Sequence, residues 1–230
     1  MKPQRIHWLQ HAEHEDSGCI EPWLRGRGHH VTHTRLHAGE ALPPASDFDW
    51  LIVMGGPMNI YEYERYPWLK EEKKLINDAV VKNIRILGIC LGSQLLADVL
   101  GGKVSRNKYS EIGWFNVELT DEDRNSELSV TGQKFLAFHW HGDTYALPKG
   151  AKCLAKSEAC AQQAFSHGGR RLGLQFHLEV TPAMAREWLR VDPPRPERYV
   201  QTPAEILADE PRFADNNRQM IRILERMETL

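Results

Sequence analysis

Long apolar runs are missing from this chain: no stretch approaches the ~20 residues needed to cross a bilayer. An excess of basic charge is missing too. Lys and Arg number 29 against 31 Asp and Glu, a formal net charge of −2, which offers no electrostatic argument for nucleic acid or an anionic membrane as partner. Cysteine is sparse. The four present, Cys19, Cys90, Cys153 and Cys160, show no paired or metal-type spacing, so a reduced, cytoplasmic setting is expected. Met1-Lys2-Pro3-Gln4-Arg5 runs into a polar-interrupted strand without the apolar core of a signal peptide. Internal repeats, low-complexity tracts and a P-loop of the form G-x-x-x-x-G-K-[ST] are absent from these residues, so no fused ATP-using module of that kind is expected.

What is there is ordinary for a globular protein: 230 residues, 41% hydrophobic and 26% charged, enough to bury a full core. Strand patterns at Arg5 to Leu9, His30 to Leu36, Trp50 to Met54 and Ile84 to Ile89 alternate with helical patterns. The helices are expected over Cys19 to Arg27, after Pro67 with Trp68, Leu69, Leu75, Ile76, Ala79 and Val80 inward, and over Leu91 to Leu100, stopped by Gly101-Gly102. That rhythm predicts an α/β fold, a doubly wound, mostly parallel sheet with helices on both faces. Beyond Gly102, short alternating runs (114–119, 135–140, 152–155, 161–166 and 171–176) predict antiparallel additions at the sheet edge. Helices over Thr181 to Arg190 and Pro203 to Met227 follow, joined by Asp192-Pro193-Pro194-Arg195-Pro196. Too little chain follows that connector to make a second core. One domain is expected over 1–230, with a core of about 4–190 and a C-terminal helical extension at 191–230.

The chemistry centres on Gly88-Ile89-Cys90-Leu91-Gly92, where an apolar strand turns into a helix with glycine two residues on either side of a cysteine. That is the pattern of a nucleophile elbow carrying Cys in place of Ser, and a β-carbon at either glycine would collide with the neighbouring strand or helix. At a helix N-terminus the dipole lowers the thiol pKa, and the free amide of Leu91 is placed to receive an oxyanion. The same stretch also reads as a buried cysteine in a tight βα turn.

Two further stretches complete the pattern. The strand Leu172 to Phe176 runs into His177-Leu178-Glu179, and ligands in α/β sheets bind at strand ends. Residues two apart there share a face, so His177 can take the Cys90 proton while Glu179 orients the ring; a surface His and Glu is the plainer alternative. Met54-Gly55-Gly56-Pro57-Met58-Asn59 ends the third strand, and the Gly56 amide is a candidate second oxyanion donor. His139 with His141, His11 with His14, and His29 with His33 are each spaced to share a metal. No third ligand with zinc-type spacing appears, so neither a metal site nor a cofactor is expected.

G-I-C-L-G-S-Q, M-G-G-P and Q-F-H-L-E-V-T, at the spacing found here, resemble the triad (class I) glutamine amidotransferase domain. The loop Gly55 to Glu62, G-G-P-M-N-I-Y-E, is similar to that of stand-alone members related to the amidotransferase half of GMP synthase. The resemblance implies hydrolysis of the glutamine side-chain amide through a Cys90 γ-glutamyl thioester, with His177 as base and then acid, held by Glu179. It implies an oxyanion hole of Gly56 and Leu91, and glutamine contacts from Gln94, from Pro57 and Met58, and from a second loop, Trp140, Gly142 and Asp143. The family usually has proline between the catalytic His and Glu, where this chain has Leu178; proline would pre-set φ there. Family members hand their ammonia to an acceptor domain, and none lies within these residues. Three readings follow: a glutaminase partner to a separate synthetase chain, a stand-alone γ-glutamyl hydrolase of peptides or small amides, and a non-catalytic binding protein on the same fold.

Overall fold

The computed structural model describes residues 2–120 and 126–229. Its first half alternates β1 (Arg5–Gln10), α1 (Ile20–Gly26), β2 (His30–Arg35), β3 (Trp50–Val53), α2 (Trp68–Val81), β4 (Arg85–Ile89) and α3 (Leu91–Val99). The second half holds β5 (Val104–Leu119), β6 (Lys134–Tyr145), β7 (Ala151–Lys156), β8 (Ala164–His167), β9 (Arg171–Leu174), α4 (Pro182–Val191), β10 (Tyr199–Val200), α5 (Pro203–Leu207) and α6 (Pro211–Thr229). The strands form one sheet in the order β10-β5-β7-β8-β9-β4-β3-β1-β2, with β6 paired to β5.

Strand periodicity explains why the central strands are apolar at nearly every position. Trp50, Ile52 and Met54 point into one core with Ile20 and Leu24 of α1 and Met220, Ile223, Leu224 and Met227 of α6. Leu51 and Val53 point into the opposite core with Leu69, Leu75 and Ile76 of α2 and Leu95 and Leu96 of α3. Helices therefore cover both faces, as a parallel sheet requires. A third cluster packs Trp188 of α4, Ile206 of α5 and Phe213 of α6 on Trp114 and Phe138 of β5 and β6.

Two expectations change. The run 171–176, expected among the antiparallel edge additions, becomes β9, which pairs parallel to β4 and antiparallel to β8. Hydrophobic pattern marks a strand but not its neighbour, and this neighbour matters: it sets β9 beside the strand that leads to Cys90. The helix expected over 203–227 is two. Thr202 caps α5 with its side chain and a reciprocal Glu205 bond, and Pro211, which lacks an N–H and disfavours helix at the residue before it, starts α6 afresh.

Candidate active site

Where β4 turns into α3, Cys90 sits at φ 49°, ψ −106°, positive-φ backbone that costs a residue with a β-carbon on the order of 1–3 kcal/mol. Close packing enforces the turn. A β-carbon at Gly88 would lie 2.5 Å from the Gly92 carbonyl oxygen, and one at Gly92 would strike the carbonyl of Val53. The Cys90 amide donates to the Leu174 carbonyl at 2.7 Å, and the Gly92 amide to that of Met54 at 3.1 Å. The elbow is thus tied to both neighbouring strands, and the thiol stands at the positive end of α3, where first-turn amides lack intrahelical acceptors. The loop after β3 reaches this point as closely as glycine allows: a β-carbon on Gly56 would lie 2.6 Å from Leu91 Cδ2 and 2.9 Å from His11 Cβ.

After Leu174 the chain leaves the ladder, and the His177 amide donates to the Phe138 carbonyl at 2.7 Å, a single bridge to β6. His177 Nδ1–H donates to Glu179 Oε1 at 2.6 Å with both side chains buried. Burial opposes an imidazolium here, but the Glu179 carboxylate and a hydrogen bond with Cys90 outweigh it and hold the His177 pKa well above 6.5. Trp188 covers the ring edge-on at 5.0 Å between centroids. At Cys19, burial pushes the thiol up to about 12.

A cleft of about 420 Å³ opens at these groups, a volume within the range of small-molecule sites. Of the residues read from the sequence, Cys90, His177, Gly56, Leu91, Gln94, Pro57, Met58, Trp140, Gly142 and Asp143 all line it, and Glu179 stands behind His177. Gln94 Nε2 donates to Gln175 Oε1 at 3.2 Å, and Gln175 Nε2 donates to Cys90 Sγ at 3.6 Å. Asp143 accepts from Asn59 Nδ2 at 2.9 Å and lies 3.7 Å from Arg106 Nη1.

The sequence reading missed Gln175, Glu15, Arg106 and Trp188, and it missed a second buried pair. His11 Nε2–H donates to Glu72 Oε1 at 2.7 Å, and Nδ1–H to the Gly55 carbonyl at 2.8 Å. Carboxylate and carbonyl both accept, so both ring nitrogens carry protons. Burial again opposes that charge, and Glu72 outweighs it and raises the His11 pKa. The pair holds the loop that carries Gly56. One signal was present: Glu72 falls three residues from both Leu69 and Leu75, on the apolar face of α2 where all three are buried. Glu15 lines the same cleft, and burial first, then Glu179, raises its pKa to about 7 against the pull of His177 and His11.

Comparison with known proteins places the chain in a family. The family model described as glutamine amidotransferase class-I matches residues 20–190. The glutamine amidotransferase-like protein YfeJ of Salmonella typhimurium is 37% identical over 182 residues, 77% of this chain and 76% of that one. A glutamine-hydrolysing GMP synthase subunit of Thermococcus kodakarensis is 41% identical over 100 residues, 43% of this chain and 52% of its own. A crystal structure of a glutamine amidotransferase from Thermotoga maritima superimposes with a TM-score of 0.89 at 35% identity, covering 99% of both chains. With an α/β fold of this form and most of its length matched, the chain belongs to the class I glutamine amidotransferase family.

Proposed function

We propose that the protein hydrolyses the side-chain amide of glutamine, with Cys90, His177 and Glu179 as its catalytic triad in one domain. The observation that carries this reading is the buried His177–Glu179 bond at 2.6 Å meeting a cysteine at a strained helix start. The Cys90 thiolate attacks the amide carbon, and the oxyanion forms toward the amides of Gly56 and Leu91. His177, charged through Glu179, gives its proton to the departing nitrogen as the C–N bond breaks, releasing ammonia and leaving a γ-glutamyl thioester. Water then attacks the thioester carbonyl, His177 takes the water proton, and glutamate leaves as the Cys90 thiolate is expelled and the charged pair restored. Arg106 supplies positive charge for the substrate α-carboxylate and Asp143 negative charge for the α-ammonium, while Gln94, Pro57, Met58, Trp140 and Gly142 shape the surrounding contacts. The relationship to the GMP synthase glutamine-hydrolysing chain supports delivery of the ammonia to a separate synthetase chain.

Ammonia and glutamate release by the isolated protein, measured on glutamine and on a panel of γ-glutamyl peptides, tests the reading. Turnover of glutamine supports it. Turnover of peptides alone replaces it with a stand-alone γ-glutamyl hydrolase, and silence together with an unreactive Cys90 thiol replaces it with a binding role.

A further inference from the structure

Glu111, His139 and His141 form a second buried cluster, beside the cleft and outside the triad. Strand register explains it. Glu111 stands directly opposite His141 on the antiparallel β5–β6 ladder, and His139, two residues before His141, shares its face of β6. The ladder shifts register between Arg106 and Glu111, the kind of irregularity that re-aims side chains next to active sites. Exposure is 1% for Glu111, 0% for His139 and 5% for His141. One ligand atom from each can be chosen so that all three lie within 4.8 Å of one another. Glu111 Oε2 is 3.3 Å from His141 Nε2 and 3.6 Å from His139 Nδ1. Ligands at ~2.0–2.1 Å around a tetrahedral zinc ion stand about 3.3–3.4 Å apart, so two edges of such a set are close to the required length.

The hydrogen bonds around the cluster match a ligand set. His141 Nδ1 lies 3.1 Å from the Asp143 carbonyl. A carbonyl only accepts, so Nδ1 carries a proton, and Nε2 faces the Glu111 carboxylate oxygen without a hydrogen bond of good geometry. A ring N–H donated to a backbone carbonyl is also how proteins orient a metal-bound imidazole. Behind Glu111, Gln163 Nε2 donates to Oε2 at 2.6 Å and Ser157 Oγ at 3.1 Å, the outer support that ligating carboxylates receive. Neither ring nitrogen of His139, nor Nε2 of His141, makes a hydrogen bond of good geometry with the described residues, which is costly for buried polar atoms.

We infer that Glu111, His139 and His141 bind one divalent transition-metal cation, zinc by preference, which cross-links β5 to β6. Two imidazoles and one carboxylate suit zinc rather than the oxygen-seeking magnesium or calcium. The sequence showed only the histidine pair, because the third ligand lies on the neighbouring strand. The cross-link holds the cleft rim, where the Trp140 carbonyl lies 3.7 Å from Cys90 Sγ.

The test is calorimetric titration of the metal-stripped full chain with Zn²⁺, with Co²⁺ as the optical probe. The expected result is one equivalent bound per chain, with a four-coordinate Co²⁺ spectrum that lacks a thiolate charge-transfer band. Affinity falls by at least ~10-fold in Glu111→Gln and in His139→Ala, since even outer-shell losses cost that much. It is unchanged in Cys90→Ser and in the exposed-site control His33→Ala. Zn²⁺ also raises the thermal midpoint of the wild type and of Cys90→Ser, a readout independent of how the ligand variants fold. Absence of stoichiometric binding by the wild type overturns the proposal. A thiolate band, or equal binding by well-folded His139→Ala, also overturns it.

Discussion

Among the molecule's buried histidine–carboxylate pairs, two of nearly equal length bear on the Cys90 cleft, His177–Glu179 at 2.6 Å and His11–Glu72 at 2.7 Å. In both, burial opposes the charged ring and the carboxylate more than compensates. The difference lies at the other nitrogen. His11 spends it on the Gly55 carbonyl, which can never take or return a proton, so the ring is a clamp on the loop that carries Gly56. His177 instead has Cys90 beside it in the cleft, a group whose proton is exchangeable. Under the proposed mechanism a charged, buried pair is insufficient to make a base; the partner at the far nitrogen decides it.

The largest test of that distinction is to remove the exchanging partners. Cys90→Ala and His177→Asn are each expected to lower ammonia release from glutamine by at least ~10³-fold, while Cys19→Ala, Cys153→Ala and Cys160→Ala keep near-normal turnover. Inactivation by any of those three would break the assignment. Next, the same change in each pair separates the roles. Glu179→Gln should lower turnover by a further large factor, ~10²–10⁴-fold, because it removes the group that keeps His177 charged. Glu72→Gln should act mainly on stability. Leaving one member of a buried pair unpaired costs about 3–5 kcal/mol, which for a chain of this size lowers the thermal midpoint by roughly 6–20 °C. The sign with pH follows from the raised His11 pKa: that stability is full below 6.5 and is lost as pH rises through the folded value. Thermal melts alongside turnover read both quantities, and a Glu72→Gln protein that is stable but inactive would erase the comparison.

Sequence made one pair visible and hid the other for a physical reason. His177 and Glu179 are two residues apart just beyond β9, close enough in sequence to read as a pair, and the glycine-flanked Cys90 announces its own turn. Glu72 lies in Glu71-Glu72-Lys73-Lys74, which looks like a solvated face, and its partner sits far away at the end of β1. Glu111 was hidden in the same way across the β5–β6 ladder. For the fold, the buried strands from β1 to β4 and helices α1 to α3 were legible because their patterns are local. The place of β9 beside β4 was not, since nothing in a run such as Arg171 to Leu174 encodes which edge accepts it.

Glu15 sharpens the comparison because it feels both pairs. A β-carbon at Gly55 would lie 2.6 Å from Glu15 Oε2 and 3.1 Å from His177 Cε1. Its pKa, raised from 4.5 to about 7 mainly by burial, means the folded protein holds a proton that the unfolded chain has released across that window. Stability therefore falls as pH climbs from 4.5 to 7 and this contribution levels off above. In Glu15→Gln the thermal midpoint should lose that part of its slope, with a shift of a few degrees. An unchanged slope would mean the carboxyl behaves as a solvated one.

The smallest expected effect concerns what holds the exchanging pair in place. Asn217 of α6 donates from Nδ2 to the carbonyls of Leu178 at 2.9 Å and Val180 at 3.1 Å, bracketing Glu179 from outside. The family's usual proline restrains this segment through its own φ; here Leu178 is a fully buried core residue, and the restraint comes from a helix distant in sequence. Other bonds also grip the segment, the Cys19 amide on the Glu179 carbonyl at 3.0 Å and the His177 amide on Phe138 at 2.7 Å. Asn217→Ala should therefore loosen the pair without dismantling it. Two neutral hydrogen bonds at ~0.5–1.5 kcal/mol each predict a stability loss of about 1–3 kcal/mol. Turnover should fall only a few-fold, in kcat and not in KM, because the imidazole is less well aimed while the substrate contacts are untouched. A loss as large as that of Glu179→Gln would make α6 an integral part of the site, and a KM effect would move its influence from the base to the glutamine pocket.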